Sequence, residues 1–195
     1  MSYPNPLATQ IPIIGLDGTI TSLQTAIGAL TWLSKCFHRA YRHTELNTGN
    51  NRAQIIPKTW QAGNEWINVL PNDNQPAQAF FWPLNAEEVV NDYDIHVEPL
   101  MEADICLIVW VNTAKLAGHT TGPSLANPKA DVLAILNASD LVVRIDGIVD
   151  RSANEIFEPF TINDDRTQYT MLPYQGFRIN FRVKFTYSLC LTASS

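Results

Sequence analysis

Apolar residues recur along this chain with two different periods. Leu23, Ile27, Leu30, Phe37 and Tyr41 are spaced by three, four or seven positions, which sets them along one stripe of a helix. Ser34 interrupts the stripe, and Leu33 beside it can fill the gap. Asp17-Gly18-Thr19 supplies turn and capping residues ahead of the run, and Asn47-Thr48-Gly49-Asn50 closes the segment. The pattern predicts a long helix from Thr19 to Tyr41, with Lys35, Arg39 and Arg42 in its last turns, where the helix dipole favours cations.

From Gln54 the period shortens to two. Gln54 to Trp60, the turn Ala62-Gly63-Asn64 and Glu65 to Leu70 predict a hairpin. Ala77 to Trp82 reads as a short aromatic strand closed by Pro83, and Glu87 to Asn91 as one helical turn. Ala103 to Val111 is apolar at odd and even positions alike, as a central strand covered on both faces must be. A Gly, Thr, Ser and Pro-rich loop, Gly118 to Leu125, leads to Asn127-Pro128, a cap with proline at the first helical position. Val132, Ile135 and Leu136 then mark a second, shorter helix ending near Ser139. Leu141 to Val149 predicts a strand, and Ile156 to Phe160 a weaker one.

The clearest alternation lies near the C-terminus. Phe177, Ile179, Phe181, Val183, Phe185 and Tyr187 interleave with Arg178, Asn180, Arg182, Lys184 and Thr186. One face of this strand enters the core and the other carries cations. Its length exceeds the usual five or six residues, so part of it is expected to project from the body. No repeat or linker divides the chain, and the termini, 1–15 and 191–195, are expected to be loosely held. The sum is one α+β domain, a mixed and mainly antiparallel sheet packed against a long N-terminal helix and a shorter second helix.

Composition narrows the function classes. Hydrophobic residues make up 46% and charged residues 16% of the 195, which excludes an intrinsically disordered chain. The net charge of −6 makes tight, sequence-independent binding to duplex nucleic acid a poor expectation, since that binding comes from neutralising phosphates. Met1 to Gln10 holds Pro4 and Pro6 without a basic start or apolar run, so no signal peptide is expected. The longest apolar stretch, Ile105 to Val111, is too short to cross a bilayer as a helix. Cys36, Cys106 and Cys190 are widely spread and read as buried thiols of a protein assembled in a reducing cytoplasm.

The sequence displays little chemistry. His38, His43, His96 and His119 lack the spacing of a metal site, and His38 reads as an ordinary helical residue. Asp92, Asp94 and His96 alternate and would share one face of a strand, where they could hold a hard cation, but an acidic loop is the better reading. Glu87-Glu88 points to different sides of a helix or strand and reads as a solvated surface, and no nucleophile elbow, dinucleotide fingerprint or phosphate loop is present. Asn137-Ala138-Ser139 matches a glycosylation sequon that carries no weight without secretion. Only the run Arg178, Arg182 and Lys184 has positional logic, as a strand face shielded from edge pairing by charge or as one presenting cations to an acidic neighbouring subunit or to nucleic acid in the lumen of a channel, the last disfavoured by the acidic total. No catalytic residue, cofactor or metal is expected.

Three segments together carry a resemblance. They are Trp32-Leu33 with Phe37-His38-Arg39-Ala40-Tyr41, the run Pro57 to Trp60 through Glu65 to Asp73, and Pro173-Tyr174-Gln175-Gly176-Phe177-Arg178-Ile179-Asn180-Phe181. The set resembles neck or tail-completion proteins of tailed bacteriophages, in particular those infecting Bacteroidetes-type hosts, over about residues 19 to 190. The resemblance implies a non-enzymatic virion protein, a tail terminator or head-to-tail joining subunit. Its partners would be copies of itself in a homohexameric ring, the tail tube and the head connector, with genomic DNA passing through without specific binding and no membrane. Aromatic-rich, charge-poor surfaces suit such an assembly. Two other classes stay open: another tail or baseplate component, and a non-viral small-molecule binding module with a pocket near Trp60, Trp66 and Trp82. An enzyme ranks last, its cheapest sign being metal dependence through Asp92, Asp94 and His96.

Overall fold

The computed structural model describes residues 14–47, 52–61, 65–72, 74–90, 99–116, 124–161 and 171–187. The first correction concerns the long helix. Helix α1 (Gly15–Gly28) ends after 14 residues, and the rest of the expected helix is strand β1 (Lys35–Asn47). The break has a local cause and a distant one. The Ala29 N–H closes the last turn on Ala26 and Ile27, and Leu33 then bonds back to Leu30, so the chain turns. Beyond it Ser34 donates to the Ala77 carbonyl at 3.1 Å, which feeds the following residues into a sheet. Leu23 and Ile27 are buried helix residues as expected, whereas Phe37 and Tyr41 sit on the strand. The helix starts earlier than the capping pattern suggested, so Gly15, counted with the loose N-terminus, is a buried helical residue; residues 1–13 and 188–195 lie outside the described residues.

Strands β2 (Arg52–Gln61) and β3 (Glu65–Asn68) form the expected antiparallel pair, with Trp60 opposite Trp66. Strand β4 (Ala77–Pro83) follows, and β5 (Glu88–Val89) stands where one helical turn was expected, paired with Met101 and Glu102. Strand β6 (Leu100–Asn112) is succeeded by helix α2 (Ala126–Ala138), whose cap is Leu125 rather than Asn127. Then come β7 (Val142–Val149), the short helix α3 (Ala153–Ile156) in place of a weak strand, and β8 (Tyr174–Thr186). At 14 and 13 residues the two main helices are nearly equal, so the expected contrast of long and short does not hold.

All eight strands among the described residues belong to one sheet in the order β3-β2-β1-β4-β6-β8-β7, with β5 also on β6. Among the described strands, only β1 and β4 pair in parallel. Strand β8 is paired with β6 over its whole length, from Tyr174 opposite Asn112 to Thr186 opposite Leu100, so none of it projects from the body. The length that looked excessive is matched by a partner of 13 residues.

Strand β6 is buried on both faces, as its unbroken apolar run requires. On one face Ala103, Ile105, Leu107, Val109 and Val111 join Phe177, Ile179, Phe181 and Val183 of β8 and are covered by Leu16, Ile20, Leu23 and Ile27 of α1 and by Val132 and Leu136 of α2. On the other, Cys106, Ile108 and Trp110 pack with Phe80, Phe37, Ile156, Phe157 and Phe160. The four α1 side chains are at most 2% exposed. At about 1.5–3 kcal/mol each they contribute roughly 6–12 kcal/mol before conformational entropy is counted. Tertiary burial, rather than capping, therefore holds α1, since no side chain caps its N-terminus.

Candidate functional site on the sheet face and its edges

Alternation along β8 puts Arg178, Arg182 and Lys184 on the sheet face opposite α1 and α2, as the sequence implied. That face is not a row of free cations. Arg178 is only 7% exposed, because the segment after α3 folds over it. Its Nη1 donates to the Glu158 carbonyl at 3.2 Å and lies 3.5 Å from the Glu158 carboxylate, while its Nε has no hydrogen-bond partner. Cys106 and Asn180 face each other across the same strands, and the Asn180 Oδ1 is likewise buried and bare. Burial pushes the Cys106 thiol up to about 12, with Arg178 opposing the rise.

Arg182 is held by carboxylates. Its Nε and Nη2 grip both oxygens of Asp104, at 2.6 and 2.8 Å, and its Nη1 lies 3.4 Å from Glu102 and from Glu88. This bidentate grip holds the Asp104 carboxyl below its ordinary value, helped by Asn85, and raises the guanidinium in turn. Of the three, only Lys184 is an exposed residue. The two arginines thus neutralise the protein's own acidic groups. The alternation identified the face, but nothing local announced Glu158 or Asp104 as partners, since both lie far along the chain.

A second polar cluster lies between α1 and β1, and it corrects the helical placing of His38. The β1–β4 register shifts between Cys36 and Arg39, and His38 there is fully buried against α1. Its Nε2 lies 3.1 Å from the Asp17 carbonyl and 3.2 Å from the Thr21 hydroxyl. A carbonyl can only accept, so Nε2 carries the proton, and Nδ1 is a buried acceptor with no donor. Burial lowers the His38 pKa, against the opposing pull of Asp17. Arg39 stands 3.7 Å from Asp17 Oδ1, an ion-pair distance beyond hydrogen-bond reach.

The three tryptophans named for a pocket do not converge. Trp66 gathers Trp60, Tyr41 and His43 within 4.4–5.4 Å, whereas Trp82 packs edge-on against Phe160. Among the described residues, two open clefts lie elsewhere. One of about 580 Å³ lies between the starts of α2 and α3, lined by Ser124, Lys129, Asp150, Arg151, Ser152 and Gln175. The other, about 460 Å³, runs beside the start of α1 along Ile14, Thr19, Leu100, Leu141 and Phe185. Tyr187 closes over Gly15 next to it and donates to Glu87, which raises the phenol to about 12.

Among the described residues no group of three or more metal-ligating side chains converges. Asp92, Asp94 and His96, weighed as a cation site and read as an acidic loop, lie outside the described residues, as do Cys190 and His119. Cys36 and Cys106 are buried thiols as expected. None of the helices is long and apolar enough to cross a membrane, among the residues described.

The sheet itself supplies the remaining feature. Its outermost strands, β3 and β7, have no described strand on their far sides. Strand β7 is interrupted twice in register and carries the exposed pair Arg144–Asp146, devices that blunt an edge. No family model, curated protein or solved structure matches the chain.

Proposed function

We propose that this chain is a structural subunit of a phage neck, forming a ring that terminates the tail tube and joins it to the head connector. The observation that supports it best is the open sheet with two unpartnered ends and exposed apolar side chains outside its core, among them Leu46, Trp66, Val89 and Val90. A subunit whose contacts repeat around a closed ring needs two such distinct surfaces. The pairing of Arg178 and Arg182 with internal carboxylates fits the passage of DNA, because it leaves no cationic track along that strand to retain phosphates.

The test is the mass of the purified protein by light scattering behind gel filtration over a range of concentrations, followed by negative-stain imaging. Ring-shaped particles near six subunits are expected. A protein that stays monomeric at the highest concentration speaks for the second reading, a small-molecule binding module. The cleft between α2 and α3 favours that alternative, and a ligand screen is its next step.

A further inference from the structure

The cleft between the starts of α2 and α3 encloses about 580 Å³, a volume in the range of sites that take small molecules. Core residues line part of it: Leu125, Ile156 and Gly176 are buried, and Gly176 brings no side chain to fill it. Its polar groups are mostly donors. Ser124 Oγ accepts the Ala126 N–H and Ser152 Oγ accepts the Glu155 N–H, both at 3.3 Å, which leaves each hydroxyl hydrogen to donate elsewhere. The Lys129 side chain is only 21% exposed, with its ammonium 6.0 Å from the Phe177 ring centroid and paired to Asp150. An ammonium has three N–H groups, so this pair does not exhaust it. Arg151 is exposed and has no hydrogen-bond or ion-pair partner among the described residues.

Asp150 is the one carboxylate in this lining, and Lys129 already neutralises it, so the cleft keeps an uncompensated positive charge on a chain whose net charge is −6. A ligand group suited to such walls accepts several hydrogen bonds, offers none and carries negative charge. Hydrogen bonds from a guanidinium or ammonium to such a group are the strong ones. We propose that this cleft binds a small molecule through an oxyanion, a phosphate or a carboxylate, held by Arg151 and Lys129 with the hydroxyls of Ser124 and Ser152 donating. The volume exceeds what the anion alone would fill, so the anion is one group of a larger ligand. The assignment does not rest on the ring reading, since it gives the ligand class of the cleft in a ring subunit and in a free module alike.

Equilibrium dialysis of the full chain tests this, with radiolabelled inorganic phosphate in one series and radiolabelled citrate in another, at neutral pH and constant ionic strength. Saturable uptake of one anion per chain is expected for at least one of the two, and which of them binds tells phosphate from carboxylate. Arg151→Ala and Lys129→Met should each weaken that uptake at least about tenfold, the scale of one hydrogen bond to a charged group. Arg52→Ala, on β2 and outside the cleft, should leave it unchanged. If Lys129→Met does not fold, Arg151→Ala at its exposed position still decides. No saturable uptake of either anion up to about 10 mM, or uptake that Arg151→Ala leaves undiminished, overturns the proposal. Dialysis counts anions per chain whatever the assembly state, so the ring reading stands or falls separately on the mass measurement.

Discussion

Replacing His38 by leucine should leave the protein about as stable at neutral pH and make it more stable in mild acid. His38 is fully buried, donates from Nε2 to the Asp17 carbonyl and presents a bare Nδ1. Leucine forfeits that hydrogen bond, about 1 kcal/mol net. It also removes an unsatisfied buried acceptor and adds apolar surface to the contact with α1, which returns about the same amount. The variant should therefore match wild type within about 1 kcal/mol at about pH 7.5. In acid the balance changes. A proton on Nδ1 would be a buried donor with no acceptor, a cost of about 1–3 kcal/mol. Arg39 adds to that cost and Asp17 offsets part of it. Because burial holds the folded-state pKa of His38 below its ordinary 6.5, the unfolded chain takes the proton first. The stability that neutral His38 contributes is complete above that value and is lost as the pH falls below it. Near pH 5 the variant should thus exceed wild type by about 1–2 kcal/mol. Urea unfolding followed by tryptophan fluorescence at the two pH values measures this, with His43→Gln as the control. A wild-type loss of stability between the two pH values that persists undiminished in the leucine variant would refute the reasoning.

Four further outcomes follow from the packing. Gly15→Ala should cost about 1–2 kcal/mol from backbone conformation alone, because Gly15 has φ of 60°. The new methyl also runs into the Tyr187 ring, so Tyr187→Ala should recover only the steric part in a double-mutant melting series. Leu107→Ala, at a fully buried position of β6, should cost about 2–5 kcal/mol in urea unfolding. Arg182→Met should lower the melting temperature at neutral pH. The gap should close as the pH falls below 3.8, the ordinary carboxyl value, since Asp104 with its depressed pKa contributes only while ionised. Cys36 and Cys106, both buried with their thiols raised by that burial, should resist a thiol reagent in the native protein and react once it is unfolded.

Local pattern was enough for the elements whose side chains answer to one rule throughout. The double-faced apolar run of β6 and the strict alternation of β8 can satisfy no structure but a covered strand and a half-covered one, and both stand where that logic put them. The β2–β3 hairpin was legible for the same reason, since turn residues separate two short strand patterns and the ladder between them is local. The apolar spacing from Leu23 to Tyr41 had no such uniqueness. Phe37 and Tyr41 are four apart, a spacing that suits a helical stripe and equally one face of a strand. What decided the matter was β4, some forty residues on, which accepts the backbone of Ser34 and pairs with Lys35 and Cys36. Strand pairing is a contact between distant segments, and no local window contains its partner. The cations on β8 were decided the same way. Alternation could place Arg178, Arg182 and Lys184 on one face, but only the fold brings Glu158 over the first and Asp104, Glu102 and Glu88 around the second. A charge in water and a charge against its counter-ion read identically in sequence, and the difference lies in which distant strand comes to lie beside it.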